Sequence, residues 1–382
     1  MRFEFATAAR IVFGRGTVRE VPAAAAEMGR RPFVVARRTA DLDRLGMTGE
    51  NFPIHFPVHG EPGIDVVREG AQRSREAGCD LVVAIGGGSA IDAGKAIAAL
   101  LTNGGDPLDY LEVVGQGRPL SRPAAPCIAI PTTAGTGAEV TRNAVLAGAH
   151  GVKASMRSPL MLPALAVVDP ELTLDLPPGL TASTGLDALT QLIEAYVSRR
   201  ANAMTDLYCV EGIRLAAGAL RHCWRDGRDI AGRTNMSFAS LLGGLALANA
   251  GLGAVHGFAA PVGGMFDAPH GAVCAALLPH AMRVNIAALR AASPPESQMD
   301  SLPRYATVAR ILTGDASATP EDGTDWVASL CRDLEIQPLR AFGVREADVP
   351  ELVEKSARAS SMRANPMVLT REQLKELLSS AL

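Results

Sequence analysis

The sequence predicts an α/β amino-terminal domain built on a parallel sheet, residues 1–180, and an all-α carboxy-terminal domain, residues 181–382. Three observations carry that reading. Short β-branched runs alternate with helix-period stretches through the first half. Glycine- and threonine-rich loops follow two of those runs directly. From about Leu180 the texture changes to long Ala- and Leu-rich segments with helical period and few β-branched residues.

In chain order, Arg31 to Ala36 reads as a buried strand and Asp65 to Ala77 as a helix. Asp80 to Ile85 is a second buried strand, followed by Gly86-Gly87-Gly88-Ser89 and a helix from about Ala90 to Leu101. Ala125 to Ile130 is a third strand, ending at Pro131-Thr132-Thr133. Strands that alternate with helices imply a parallel sheet covered on both faces. The segment from Val168-Asp169-Pro170 to Pro177-Pro178 is the expected hinge. Beyond it, helices are expected over Thr184–Arg199, Met204–Leu220, Asn235–Ala248, Val255–Met265 and Ala272–Asn285. A loop is expected at Ser293-Pro294-Pro295, then helices over Leu302–Leu312, Thr324–Leu334, Pro350–Ser360 and Thr370–Leu382.

Composition narrows the class. Hydrophobic residues make up 48% and charged residues 20%, which supports a filled core and argues against disorder. Aromatics are only 4%, so Ala, Val, Leu and Gly must do most of the packing. A net charge of −3 leaves no basic footprint for nucleic acid. No apolar run reaches the roughly 20 residues that a membrane span needs. Met1-Arg2-Phe3-Glu4-Phe5 lacks both the basic and the apolar region of a signal peptide. Six cysteines stand far apart with no CxxC pair, as reduced, packed thiols do. Together these point to a cytoplasmic protein without membrane or nucleic-acid partners.

Two loops carry a ligand signal. A strand, then Gly86-Gly87-Gly88-Ser89, then a helix brings backbone N–H groups and the positive end of a helix dipole to one place, which suits phosphate. Ser89 adds a hydroxyl, and Lys95 follows about two turns into the helix. The run from Pro131 to Thr141 (PTTAGTGAEVT) sets hydroxyls and glycines at the carboxyl edge of another strand. Either loop alone is compatible with a plain tight turn. The run from Gly86 is not the GxGxxG dinucleotide fingerprint, but two such loops after two strands point to a phosphate-bearing ligand rather than to plain turns.

With these pieces in place, the sequence resembles the iron-containing (group III) alcohol dehydrogenases, a family that includes the maleylacetate reductases. The resembling blocks are Val12-Phe13-Gly14-Arg15-Gly16, GGGSAIDAGKA from Gly86, PTTAGTGAEVT from Pro131 and VDPELT from Val168. TGLDALTQLIEAYVS from Thr184, VHGFAAPVGG from Val255, APHGAVCAALLPH from Ala268 and Asn365-Pro366 complete the set. The resemblance implies a Rossmann-like dinucleotide-binding domain and a helical metal and substrate domain, in a fold shared broadly with dehydroquinate synthase. It implies reversible hydride transfer between a nicotinamide cofactor and a small alcohol or aldehyde in the cleft between domains, and a homodimer or larger homo-oligomer. By position, Gly87, Gly88, Ser89, Thr132, Thr133, Thr136, Asn143 and Lys153 are expected to hold the cofactor. Many members carry an acidic residue for the ribose where this chain has Arg37, followed by Arg38. Arginine there accepts a 2′-phosphate, which favours NADP over NAD.

The family's metal site uses one Asp and three His, implying iron or zinc. Asp187, His256 and His270 match three of these positions, and Gln191 stands where the remaining His is expected, one turn after Asp187. Gln offers a neutral carbonyl oxygen, a weaker ligand than imidazole. Ala260 stands where many members have a proton-relay His. The favoured reading keeps a metal on Asp187, His256 and His270, with water or Gln191 completing the shell. One alternative is a metal-independent, maleylacetate-reductase-like enzyme, with His256 or His270 as general acid and Arg142 or Arg157 binding a substrate carboxylate. Another is a nucleotide-binding relative without catalysis. Glu194, seven residues after Asp187 on the same helix, is within reach of the site but is read as a structural helix acid, and Cys274 is read as a small core filler rather than a nucleophile. His222 and His280 are read as packed or surface histidines, and His55, His59 and His150 as loop or strand-edge residues.

Overall fold

A computed structural model describes residues 2–37, 42–43, 45–148, 153–292 and 301–382. Arg38, His150 and the Ser293-Pro294-Pro295 loop lie outside the described residues. The chain divides into two compact units. One is Ala6–Thr133 with Gly137–Leu174, and the other is Asp175–Leu382 with Ala134–Thr136 and the amino-terminal residues up to Phe5.

The first unit is an α/β layer structure. Its strands are β1 (Arg10–Phe13), β2 (Pro32–Ala36), β3 (Ile54–Pro57), β4 (Leu81–Gly86), β5 (Cys127–Pro131), β6 (Asn143–Ala147), β7 (Lys153–Arg157) and β8 (Leu165–Val168). Six of them form one sheet in the order β1-β8-β5-β4-β2-β3, and every pairing in it is parallel. Its helices are α1 (Val21–Met28), α2 (Ile64–Glu76), α3 (Gly88–Asn103) and the short α4 (Pro107–Tyr110). Period-two alternation sends the side chains of each central strand to opposite faces. Phe33, Val35, Val82 and Ala84 pack with Val67 of α2 and Ile97 of α3 on one face. Val34, Ala36, Val83 and Ile85 pack with Val21 and Ala25 of α1 on the other.

The three strands expected from sequence stand at β2, β4 and β5. The structure adds β1, β3 and β8, each only four residues long, and an antiparallel hairpin, β6 on β7, with Asn143 opposite Arg157 and Ala147 opposite Lys153. Runs that short give no measurable period, so their strand character comes from pairing with neighbours.

The second unit is helical: α5 (Pro178–Val197), α6 (Ala203–Arg225), α7 (Ile230–Ala250), α8 (Ala254–Phe266), α9 (His270–Ala291), α10 (Ser301–Thr313), α11 (Pro320–Asp333), α12 (Val349–Ala357) and α13 (Arg371–Ser380). α5 begins six residues before the expected Thr184, at a proline in its first turn, a position whose N–H has no helical partner to lose. α6 starts on a capping box of Asn202 and Thr205, and α7 on Asp229, whose carboxylate accepts from Ala231 and Gly232 N–H. α9 has a mean hydropathy of 1.5, long and apolar enough by composition to cross a membrane, yet 78% of that stretch is buried inside the protein. Its apolarity is that of a core helix.

Candidate functional site

The helical unit gathers its chemistry on three helices. Asp187 and Glu194 lie two turns apart on one face of α5. His256 sits in the first turn of α8, and His270 opens α9 with Cys274 one turn further along the same face. α9 comes this close to α5 because residue 271 is glycine: a Cβ there would lie 2.6 Å from the carbonyl oxygen of Ser183. Nε2 of His256 stands 3.4 Å from Asp187 Oδ1, and Nε2 of His270 stands 3.6 Å from the same oxygen. The Cys274 sulfur is 3.9 Å and 3.7 Å from those two nitrogens. One donor atom from each of the four residues falls within 4.8 Å of all the others.

Glu194 sets the His256 ring. Its Oε2 accepts from Nδ1 at 2.7 Å, and its Oε1 accepts from the Val255 N–H at 2.7 Å. Gly253 offers no side-chain cap to α8, so the helix start is satisfied from elsewhere, by Glu194 and by Asn365 Oδ1, which accepts from Ala254 N–H at 3.0 Å. With Nδ1 donating to a carboxylate, the lone pair of a neutral His256 is on Nε2, the nitrogen that faces Asp187. Asn365 is itself fixed by Asn285 of α9, which gives the Asn365-Pro366 block a structural purpose.

The electrostatics favour a cation. Burial alone would raise the Asp187 carboxyl, but the imidazoles of His270 and His256 outweigh it and hold it below its ordinary value. Burial would lower both imidazoles. The Cys274 sulfur and Asp187 reverse that, lifting His256 well above its ordinary value and His270 to about 9. A divalent metal fits this donor set. Asp187 Oδ1 is buried and makes no hydrogen bond, an expensive condition for a carboxylate oxygen unless a cation meets it. The side chains of Asp187 and His256 are 2% and 7% exposed, whereas that of His270 is 35% exposed.

Sequence reasoning brought Asp187, His256 and His270 together, set Glu194 within reach on the helix of Asp187, and missed Cys274. Cys274 stands among the donors rather than serving as core filler, and Glu194 is a partner of His256 rather than only a helix acid. The available signal was spacing: Cys274 follows His270 by one helical turn. Gln191 is buried with an Oε1 that makes no hydrogen bond, and that oxygen lies against Gly243 of α7. His280 is likewise buried at Nδ1 without a partner, and His55 Nε2 lies 3.1 Å from the Met47 carbonyl oxygen.

The expected cofactor loops belong mainly to the α/β unit. Gly87 caps α3, and Gly88 and Ser89 form its first turn, all half-buried. Gly86 has φ +151°, and Gly94 lies so close to β4 that a Cβ would meet that of Ala84 at 2.4 Å. These two glycines serve the turn and the helix–strand contact, leaving the N–H groups of Gly87 and Gly88 at the helix start. Thr132 N–H donates to the Gly86 carbonyl at 2.9 Å, tying the two loops side by side, and Thr133 touches Gly87. Thr136 groups with the helical unit. Asn143 opens β6, and Lys153 is ion-paired with Glu61. Arg37 is exposed just past the end of β2.

Lys95, about two turns into α3, points into the protein rather than towards the glycine loop. It is fully buried, pairs with Asp92 at 2.9 Å, and donates to the carbonyls of Ala138 and Asn143 and to the Thr141 hydroxyl. It pins the threonine-rich loop and β6 to α3. Arg157, expected as a carboxylate binder, pairs with Glu112 at 3.3 Å.

Comparison with known proteins agrees along the whole chain. The family profile described as iron-containing alcohol dehydrogenase matches residues 8–170, and that described as Fe-containing alcohol dehydrogenase family, C-terminal, matches residues 181–382. A 1,3-propanediol dehydrogenase of Citrobacter freundii is 37% identical over 350 residues, covering 89% of this chain and 86% of its own. The crystal structure of a 1,3-propanediol oxidoreductase superposes with a TM-score of 0.90 at 32% identity, covering 100% of both chains. A sulfoacetaldehyde reductase from Bifidobacterium kashiwanohense, solved in complex with NAD+, superposes with a TM-score of 0.87 at 28% identity, covering 100% of this chain and 99% of its own.

Proposed function

The chain belongs to the iron-containing alcohol dehydrogenase family, and from that premise we propose that it is a metal-assisted, nicotinamide-dependent reductase of small aldehydes, reversible towards the alcohols. The observation that carries the reading is the buried, unpartnered Asp187 Oδ1 facing two imidazole nitrogens at 3.4 and 3.6 Å.

Asp187, His256 and His270 are the residues to hold the metal. When bound, a divalent cation supplies Lewis acidity to the substrate oxygen, and a nicotinamide supplies or accepts the hydride. Glu194 keeps the Nε2 of His256 turned towards the cluster. The half-exposed ring of His270 marks the side from which the substrate oxygen enters. Ala260 cannot relay a proton, so the proton reaching the product oxygen comes through water. A metal-independent reading, with His256 or His270 as general acid, would give Asp187 the role of holding the proton on those imidazoles; the retained Asp–His–His donor set favours the metal.

Gly87, Gly88 and Ser89 at the start of α3, with Thr132, Thr133 and Thr136, are the proposed phosphate and ribose contacts, joined by Asn143 and Lys153. Arg37, exposed at the strand end, suits a 2′-phosphate and so NADP over NAD. The relatives act on small diols and aldehydes, as their names say, and a small alcohol or aldehyde is the proposed substrate class. Homo-oligomerisation and a cytoplasmic location complete the reading.

The test is elemental analysis of protein purified without added metal, with NADPH and NADH oxidation measured on an aldehyde panel before and after chelation. Near-stoichiometric metal, with activity lost on chelation and restored by one ion, is the expected result. Undiminished activity without metal overturns the metal-assisted mechanism.

A further inference from the structure

We infer that the thiol of Cys274, rather than the amide of Gln191, is the fourth protein ligand of this metal, and that the centre is a zinc-selecting Asp–His–His–Cys site. The inference rests on the metal reading of Asp187, His256 and His270 given above.

Geometry carries it first. Metal bonds of about 2.0 Å to nitrogen or oxygen and about 2.3 Å to sulfur, arranged tetrahedrally, place N and O donors about 3.3 Å apart and sulfur about 3.5 Å from each of them. The observed edges are 3.4 and 3.6 Å from Asp187 to the two histidines, and 3.9 and 3.7 Å from the sulfur to the same nitrogens. Four of the six edges of a tetrahedral shell thus lie within a few tenths of an ångström of their ideal lengths, and all four donor atoms lie within 4.8 Å of one another. The Gln191 oxygen is buried beside Gly243 of α7 and offers only a neutral amide donor.

Chemistry carries it second. A chain that offers only a neutral amide at residue 191 has lost an imidazole donor there. A sulfur one turn after His270 supplies a stronger ligand from another helix, and it binds as the thiolate with release of its proton. The thiolate is softer than imidazole, and a tetrahedral set of nitrogen, oxygen and sulfur suits zinc better than iron(II). With Asp187, it also brings two negative charges to meet the two positive charges of the ion. The substrate oxygen then approaches from the exposed His270 side as an added donor, as catalytic zinc permits.

Cobalt(II) is the probe. The metal-free protein is titrated with cobalt(II) in the absence of oxygen while the near-ultraviolet and visible spectra are recorded. The expected result is one cobalt per chain, a thiolate-to-cobalt charge-transfer band and intense tetrahedral visible bands, all displaced by zinc. In Cys274→Ser the thiolate band disappears, and cobalt affinity falls by more than about 100-fold, since even partners outside the ligand shell are worth 10- to 100-fold. Gln191→Leu keeps both the band and the affinity. Zinc is preferred over iron(II) by a smaller factor in Cys274→Ser than in the unaltered protein.

Stoichiometric cobalt without a thiolate band in the unaltered protein overturns the inference and leaves the metal reading standing. So does loss of cobalt in Gln191→Leu with retention in Cys274→Ser. If the unaltered protein takes up no cobalt or zinc, the metal reading itself fails, and this inference fails with it.

Discussion

Glu194 grips His256 at Nδ1 with one carboxylate oxygen, 2.7 Å away, and the helix that carries His256 with the other. A single side chain therefore both starts α8 and aims the imidazole. Replacing it separates the two roles.

Glu194→Ala is expected to lower zinc affinity 10- to 100-fold, the usual loss when a carboxylate behind a metal-binding histidine is removed. It also removes a helix-start acceptor, costing about 1 kcal/mol of stability. Glu194→Gln keeps an acceptor oxygen and recovers part of both. Competition with a chromogenic chelator gives the affinity, and urea unfolding gives the stability. Unchanged zinc affinity in Glu194→Ala would leave Glu194 as a helix cap alone.

Metal binding is expected to depend steeply on pH. The folded, metal-free protein holds protons on His256 and His270 more tightly than free imidazole does, His270 up to about 9. A folded value raised above the unfolded one, about 6.5, means the two imidazolium groups stabilise the metal-free fold fully below pH 6.5. That stabilisation is lost as pH rises through the raised folded values, about 9 for His270. A metal must displace these protons, so its affinity rises across the same window, by roughly tenfold per pH unit for each proton displaced. Zinc affinities measured from pH 6 to 9 check this, and a flat profile contradicts it.

Lys95→Met is expected to destabilise the α/β unit by about 3 kcal/mol, the scale for breaking a buried ion pair by removing one partner. Asp92 loses its cation, and the carbonyls of Ala138 and Asn143 lose their shared donor. Because these contacts also hold the threonine-rich loop, KM for the cofactor should rise in protein that is still folded. Urea unfolding and steady-state kinetics read the two effects separately. Unchanged stability would show that the contacts around Lys95 contribute little.

Arg37→Ala is expected to reduce kcat/KM for NADPH about tenfold or more relative to NADH, from loss of a charge-assisted hydrogen bond of about 1.5–3 kcal/mol. Equal effects on the two cofactors would remove Arg37 from the 2′-phosphate and the preference for NADP with it.

Much of this protein is written in local order. The runs at β2, β4 and β5 and the Ala- and Leu-rich helices after residue 180 are legible because each carries its own period. Asp187, His256 and His270 are legible because each sits in a block resembling one family. The fourth donor was less so. Cys274 is an unremarkable small residue on an apolar core helix until α9 is laid against α5, and nothing local in the sequence shows that Lys95 is covered by Ala138, Thr141 and Asn143.

By itself, then, the sequence determined the α/β and all-α halves and the glycine and threonine loops, because periodicity and motif spacing act over a few residues, and the family resemblance pointed to three of the four clustered donor residues. Only the tertiary structure decided the sheet order, the β6–β7 hairpin, the grip of Glu194 on His256 and the arrival of Cys274 beside Asp187. Those partners are tens of residues apart in the chain. Their proximity follows from how helices pack, with glycines such as Gly271 letting backbones approach, and not from any pattern within a single element.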